Sequence, residues 1–403
     1  MSTSLLYHAL NIVGYRYRST EYVGKEIVFT IEQDPSTLRC PCCGSRSVSK
    51  RGATWRRFLA PCWAFKRVVI RLAVHRVECR ACKVVRQVKI GFADANRRYI
   101  RQFERCVLDL SGHMTIQDVA NHYAVSWDVV KKIQERYLKR KFARPRLKGL
   151  RKIAIDEIYV GKKRKFLTIV LDLETGAVVF IGEGKGVDAL EPFWKRLKSA
   201  KKRIEAVAID MSRAYIKAVT TNLPRAVLVF DHFHVIKLFN EKLTDLRRTL
   251  YRELTDLQKE VLKGVRWLLL KNPENLDEKG NERERLEEAL RLNQPLACAY
   301  YLKEDLRQIW SQPDKNTAKT VLNDWIRRAE ASGVGMLKKF AKTLASYRSG
   351  ILAYYDYRIS TGPLEATNNK IKTLQRQAYG FRDSEFFTLK IYAIHLAKYA
   401  LVG

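Results

Sequence analysis

Ile204-Glu205-Ala206-Val207-Ala208-Ile209-Asp210 and Ala226-Val227-Leu228-Val229-Phe230-Asp231 are short apolar runs, each closed by an aspartate. Length and β-branched content make them buried strands. The residues between carry Tyr215, Ile216 and Val219 at helical spacing. Upstream, Lys152-Ile153-Ala154-Ile155-Asp156-Glu157 is a further apolar strand with an acid in it. Phe166–Leu173 is predicted as a second strand, Glu174-Thr175-Gly176 as a hairpin turn, and Ala177–Ile181 as a third strand. Asp188–Leu197 reads as a helix.

Three antiparallel strands, then helix, strand, helix and strand, is the order of an RNase H-like fold. In such a sheet the first and fourth strands are neighbours, so Asp156 and Asp210 would stand side by side. Two close carboxylates repel, and a divalent cation relieves the repulsion. Hard oxygen ligands select Mg²⁺ or Mn²⁺. Two such ions ~3.5–4 Å apart can activate a water or a 3′-hydroxyl and stabilise the leaving oxygen. Taken alone, an aspartate at a strand end is more often a turn or capping residue, and periodicity does not show adjacency.

Residues 236–348 are charged, with apolar positions at helical spacing and aromatics that include Trp267, Trp310 and Trp325. Most of these belong to a core; some suit base stacking. The run Asn272–Arg283 is polar and reads as a loop. Thr361-Gly362-Pro363-Leu364-Glu365 then opens a helix, with Pro363 at a first-turn position. An acid in that turn also suits the helix dipole. Glu365, Asn369 and Lys372 fall on one stripe, at spacings of four and seven. A carboxylate, an amide and an ammonium together suit a metal–phosphate site. Arg376 and Arg382 extend the basic surface.

Toward the N-terminus, Arg97–Leu110 is predicted helical. Thr115 caps a helix from Ile116, Tyr123-Ala124-Val125 makes a turn, and Ser126 caps a helix from Trp127 to about Lys139. This is the pattern of a helix-turn-helix, which uses the start of its second helix on the major groove. Ser126, Trp127, Lys131, Lys132 and Arg136 are therefore the candidate DNA contacts. Arg144 and Arg146 extend them along a basic linker, and Lys162, Lys163 and Arg164 sit on the first hairpin of the strand region.

Cys40 and Cys43 form one C-x2-C pair, and Cys79 and Cys82 another. Together they supply four thiolates for one structural Zn²⁺. Cys42 leaves the register open, His75 is a spare nitrogen, and four buried thiols are the alternative. Trp55–Leu59 and Phe65–Val77 read as a strand pair between the two knuckles.

The 403 residues carry 76 Lys plus Arg against 42 Asp plus Glu, a net charge of +34. Residues 1–150 hold 30 basic and 11 acidic side chains. With 46% apolar residues the chain builds real cores, which excludes a disordered polycation. So much charge of one sign in a folded chain points to nucleic acid, and the helix-turn-helix pattern adds double-stranded DNA as the expected partner. No apolar run of ~20 residues suggests a membrane span. The N-terminus lacks a leader pattern, so a cytoplasmic chain, nucleoid-associated when on DNA, with reduced thiols is expected.

These blocks in this order resemble the bacterial insertion-sequence transposases of the ISL-three family, in the DDE superfamily. The resemblance runs through the C-x2-C pairs, the helix-turn-helix, Ile155-Asp156-Glu157, Val207-Ala208-Ile209-Asp210-Met211 and Phe230-Asp231-His232-Phe233-His234-Val235. It ends with Glu365-Ala366-Thr367-Asn368-Asn369-Lys370-Ile371-Lys372 and Tyr379-Gly380-Phe381-Arg382. It implies that Asp156, Asp210 and Glu365 are the catalytic triad holding two Mg²⁺ (or Mn²⁺). Asp231 and His234 resemble an Asp-x2-His element that supports the active site, with Asn369 beside it.

The expected architecture is multidomain α+β. Residues 1–94 carry the zinc-binding β module and 95–148 the helix-turn-helix. Residues 149–237 form the first part of an RNase H-like core, 238–350 an all-helical insertion, and 351–403 the second part with the Glu helix. The expected function is a transposase that binds the terminal inverted repeats, cleaves the element ends and joins their 3′-hydroxyls to target DNA, as a homodimer on DNA. A non-catalytic DNA-binding regulator and a plain RNase H-type nuclease are the rivals. The presence of all three acids disfavours the first, and the end-recognition modules disfavour the second.

Overall fold

The computed structural model describes residues 5–161, 165–200, 203–278 and 280–395. They divide into two compact units, one ending at Ala143 and one spanning Arg144–His395. No helix among the described residues is long and apolar enough to cross a membrane.

The first unit opens with α1 (Leu5–Leu10) and a hairpin of β1 (Tyr15–Val23) and β2 (Glu26–Gln33). A long hairpin of β3 (Val48–Trp63) and β4 (Lys66–Cys79) follows, and β2 lies parallel to β4. The short β5 (Val85–Gln87) also pairs with β4. Alternation in β4 turns Val68, Ile70, Leu72 and Val74 inward, each at most 1% exposed. Three helices complete the unit: α2 (Arg101–Leu110), α3 (Ile116–His122) and α4 (Trp127–Phe142). Thr115 and Asp118 cap α3 reciprocally. Ala124 takes a positive φ in the turn, and Ser126 stands at the N-cap of α4. Phe58 and Ile70 of the sheet share one core with Phe103, Val107, Val119 and Ile133 of the helices. The sheet and the helix-turn-helix thus share a common apolar interior.

The second unit has a five-stranded sheet of β6 (Lys152–Gly161), β7 (Lys165–Asp172), β8 (Val178–Glu183), β9 (Ala206–Ile209) and β10 (Val227–Phe230), in the order β10-β9-β6-β7-β8. β6 to β8 are antiparallel, while β9 and β10 run parallel to β6. Helix α5 (Glu191–Ser199) precedes β9, and α6 (Arg213–Asn222) links β9 to β10. Ala206–Ile209 are all fully buried, as expected of a central strand covered on both faces.

From β10 the chain enters α7 (His232–Arg252). It continues through α8 (Asp256–Leu262), α9 (Val265–Leu270), α10 (Glu282–Leu292), α11 (Gln294–Arg307), α12 (Lys315–Ala331), α13 (Gly335–Ser346) and α14 (Arg348–Leu352). It returns to the sheet with α15 (Gly362–Gln377) and α16 (Ser384–Tyr392). Side-chain alternation sorts the strands between two cores. Ile153, Ile155, Val207 and Ile209 join the core of α5 to α14. Ala154, Ile158 and Ala208 join Leu364, Ile371 and Phe387 of α15 and α16 on the opposite face. Within the helical region Phe239, Trp325 and Phe340 meet edge to face, with centroids 4.9–6.0 Å apart. Helix α14 lies on β10 because position 350 is glycine: a Cβ there would come within 2.3 Å of the Phe230 ring.

Candidate functional site

The sheet register brings the strand-end aspartates to one level. Ala154 pairs with Ala208 across β6 and β9, and Phe230 pairs with Ile209 across β10 and β9. Carried forward, those ranks align Asp156, Asp210 and Asp231. By alternation Asp156 and Asp210 project to the face that carries Ala154 and Ala208, the face covered by α15. Burial raises the Asp156 pKa, and the neighbouring charges of Asp210 and Glu157 push it further. The Glu157 amide, donating to Asp156 Oδ1 at 2.8 Å, and the charge of His234 work against the rise. Asp210 accepts from the Ser212 amide at 3.0 Å.

Asp231 is buried at the N-cap of α7. Its Oδ2 accepts from Thr361 Oγ1 at 2.6 Å and lies 3.3 Å from His234 Nδ1. Burial alone would raise its pKa, but the hydrogen bonds from His234 and Thr361 outweigh it and the net shift is downward. Burial would lower His234, and here too it is outweighed: the Asp231 hydrogen bond, then the Asp156, Asp231 and Asp210 charges, raise it. Thr361 immediately precedes α15, so this contact pins the start of the helix that carries Glu365.

Seven residues on, Asn368 Nδ2 donates to Asp156 Oδ2 at 2.9 Å. Sequence reasoning missed Asn368 and Thr361. The stripe of Glu365, Asn369 and Lys372 that it favoured is exposed, as is Arg376, whereas Leu364, Thr367, Asn368 and Ile371 are buried. The apolar Leu364 and Ile371 were the signal for the buried stripe. Asp156, Asp210 and Glu365 do not converge tightly: among the described residues, the four cysteines form the one set of three or more such ligands within 4.8 Å. A second cluster was also missed. Glu157 points to the other face, where its Oε1 accepts from Tyr215 Oη at 2.6 Å and the Gly186 amide at 3.2 Å.

The donor set at the strand ends suits a hard divalent cation. It offers a carboxylate whose pKa burial raises, with the Asp210 charge adding to the rise, and the buried Asp231 Oδ1 and Asn368 Oδ1 have no hydrogen-bond partner.

In the first unit the sulfurs of Cys40, Cys43, Cys79 and Cys82 lie within 4.8 Å of one another. Cys40 Sγ is 3.6 Å from Cys82 Sγ, and Cys43 Sγ is 3.5 Å from Cys79 Sγ. Sulfurs ~2.3 Å from a tetrahedral centre stand about 3.8 Å apart, so the cluster fits a metal ion. Cys42 and His75 lie outside this set. The Cys43 and Cys42 amides lower the Cys40 pKa to about 6. The turn around Gly44, at φ +75°, closes the first knuckle.

On α4, Trp127 is exposed, with Lys131 Nζ 5.6 Å from its ring centroid, and Lys132 is exposed. Arg136 is occupied internally by the Glu104 carboxylate and, at 3.3 Å, by Tyr99 Oη. Arg144 and Arg146 are exposed at the start of the second unit. Lys162, Lys163 and Arg164 lie outside the described residues.

With this geometry in view, residues 153–391 match a family model described as a transposase, of the DDE ISL3 type. Residues 88–138 match the helix-turn-helix domain of transposase family ISL3. The chain is 31% identical to the transposase for insertion sequence element IS1001 of Bordetella parapertussis, over 94% of this chain and 95% of that one. It is 27% identical to the transposase for insertion sequence element IS1557 of Mycobacterium tuberculosis, over 90% and 87%. The solved Drosophila P element transposase strand transfer complex aligns with 60% of this chain and 76% of that one. Identity there is 14% and the TM-score is 0.34.

Proposed function

Because the chain belongs to the ISL3 family of DDE transposases, we propose that it moves its own insertion sequence, cutting the element ends and joining them to new DNA. The observation that carries this reading is the common level of Asp156 and Asp210 on the sheet face covered by the helix of Glu365. In this reading the sheet and its helices are an RNase H-like core, and residues 238–350 are a helical insertion in it. Asp156, Asp210 and Glu365 hold two Mg²⁺ or Mn²⁺, Glu365 closing on the pair when DNA and cations are present. Bound there, such cations neutralise phosphate charge and make a water or 3′-hydroxyl a better nucleophile. Asp231, His234 and Asn369 support the site, with Thr361 and Asn368 fixing the helix to it.

The zinc-binding module, residues 1–94, and the helix-turn-helix, residues 95–148, recognise the inverted repeats. Ser126, Trp127, Lys131 and Lys132 lie at the groove, and Arg144, Arg146, Lys162, Lys163, Arg164, Lys372 and Arg376 contact backbone. Arg136 belongs to the same DNA-binding surface, and it also ties α4 to Glu104. Two ends must be held at once, so the working form is a homodimer on DNA.

The test is cleavage of a supercoiled plasmid carrying the gene's own flanks, with Mg²⁺, by wild type and by Glu365→Gln. Breaks at the element ends that the substitution abolishes support the reading. Tight binding to the ends with no cleavage by either protein, in Mg²⁺ or Mn²⁺, would instead indicate a DNA-binding regulator.

A further inference from the structure

The helical region holds a concentration of cations that the site at the strand ends does not use. The last turns of α7 present Arg247, Arg248 and Arg252. The chain then turns through α8 and returns at Lys263 and Gly264, beside the same residues. Together with Tyr251 they line an open cavity of about 310 Å³. Gly264 takes a φ of +81°, which favours glycine, and a Cβ there would stand 3.0 Å from Arg285 Nη2. Arg266 opens α9 next to the cavity, with its guanidinium 4.6 Å from the ring centroid of Trp267. That ring is 61% exposed.

The cluster is poorly compensated. Arg248 has Asp245 at 3.3 Å and Lys263 has Glu260 at 3.5 Å, both exposed pairs of small worth in water. The half-buried Arg247 and Arg266 keep buried Nε–H groups without an acceptor. Burial, then the charges of Arg266 and Arg248, depress the Arg247 pKa, so these side chains oppose one another's charge. A folded protein gains nothing for its own stability by converging like charges on an open cavity. A polyanion seated there removes the repulsion, and guanidinium forks match phosphate geometry.

We propose that this face of α7–α9 is a second DNA-backbone site, binding the phosphodiester strand of duplex DNA. Trp267 packs against sugar or base edges at its rim. The proposal rests on the reading of the chain as a transposase acting on DNA, and it assigns to the helical region a contact separate from the helix-turn-helix. It is independent of sequence, since guanidinium and ammonium groups around an open cavity meet the phosphate charge that every duplex carries.

The experiment uses the full-length, metal-loaded chain and a 30-base-pair duplex of unrelated sequence. Binding is measured by fluorescence anisotropy across a salt series. Each phosphate neutralised adds about −0.9 to the slope of log Kobs against log salt. Arg247→Gln/Arg252→Gln/Arg266→Gln is expected to flatten that slope by about 2–3 units, with circular dichroism unchanged and end sequence preference retained. Trp267→Ala alone is expected to weaken binding several-fold without moving the slope. A wild-type slope in the triple variant overturns the proposal, as does DNA binding indifferent to all four substitutions. Failure of wild type to cut element ends would count against the transposase reading and leave this slope measurement intact.

Discussion

Asn368 donates its side-chain amide to Asp156 Oδ2 across 2.9 Å, joining residues 212 positions apart in the chain. The donor sits on the helix of Glu365 and the acceptor on the strand next to Asp210. One hydrogen bond thus fixes the distance between the two acid-bearing elements. Partners that orient a metal-binding carboxylate typically carry 10–100-fold in affinity or activity. Asn368→Ala is therefore expected to weaken Mn²⁺ binding by roughly that factor, read by isothermal titration without DNA.

His234 should titrate above its ordinary value near 6.5 because Asp231, Asp156 and Asp210 surround it. A raised folded-state pKa means its stabilising effect is full below about 6.5 and is lost as pH rises through the folded value. Asp231, lowered by His234 and Thr361, contributes above about 3.9 and loses its effect as pH falls through its own folded value. Nuclear magnetic resonance titration of the imidazole checks this. Asp231→Asn should bring the His234 pKa down, and Thr361→Val should raise that of Asp231.

Metal analysis should find one zinc per chain in the first unit. Cys79→Ser, at a fully buried ligand position, is expected to abolish it, while Cys42→Ser leaves it intact. Zinc at a thousandfold over its dissociation constant stabilises the folded form by about 4 kcal/mol. Chelation should accordingly lower the melting temperature of that unit and release DNA with it.

Gly350→Ala puts a methyl group into the Phe230 ring. The ring or α14 must shift, at a cost of about 1–3 kcal/mol, measurable by denaturant unfolding. Since Asp231 follows Phe230 directly, end cleavage should fall by more than the loss of folded protein explains.

The fold was readable where a short apolar run met a charged stop. Ala206–Ile209 before Asp210 and Val227–Phe230 before Asp231 are strands within a residue or two of their expected limits. Strand β1 went unread because Tyr15–Val23 has no apolar alternation strong enough to set it apart, and β2 was missed with it although Glu26–Gln33 carries Ile27, Val28, Phe29 and Ile31. The cysteine register was ambiguous in the sequence, since both Cys40 and Cys42 precede Cys43. The sheet resolves it, because pairing of Val48 with Cys79 sets the first knuckle opposite Cys79 and Cys82.

On α15 two polar stripes were available, one residue and thus about 100° apart. The stripe chosen was the one chemically rich in charge. Packing turns the other toward the sheet, because Leu364 and Ile371 fill the sheet face and carry Asn368 in between. That Arg136 would also meet Glu104, 32 residues earlier, was not legible. Long-range pairings of this kind leave no periodic trace.

The most direct measurement is strand transfer. A duplex of the element end, precut to expose its 3′-hydroxyl, is incubated with wild type, Mg²⁺ and a supercoiled target plasmid. The account predicts covalent insertion of the end into the plasmid, and no insertion with Asp210→Asn although that variant still binds the duplex. Tight binding by wild type with no joined product, or nicking of the plasmid without joining, would contradict it.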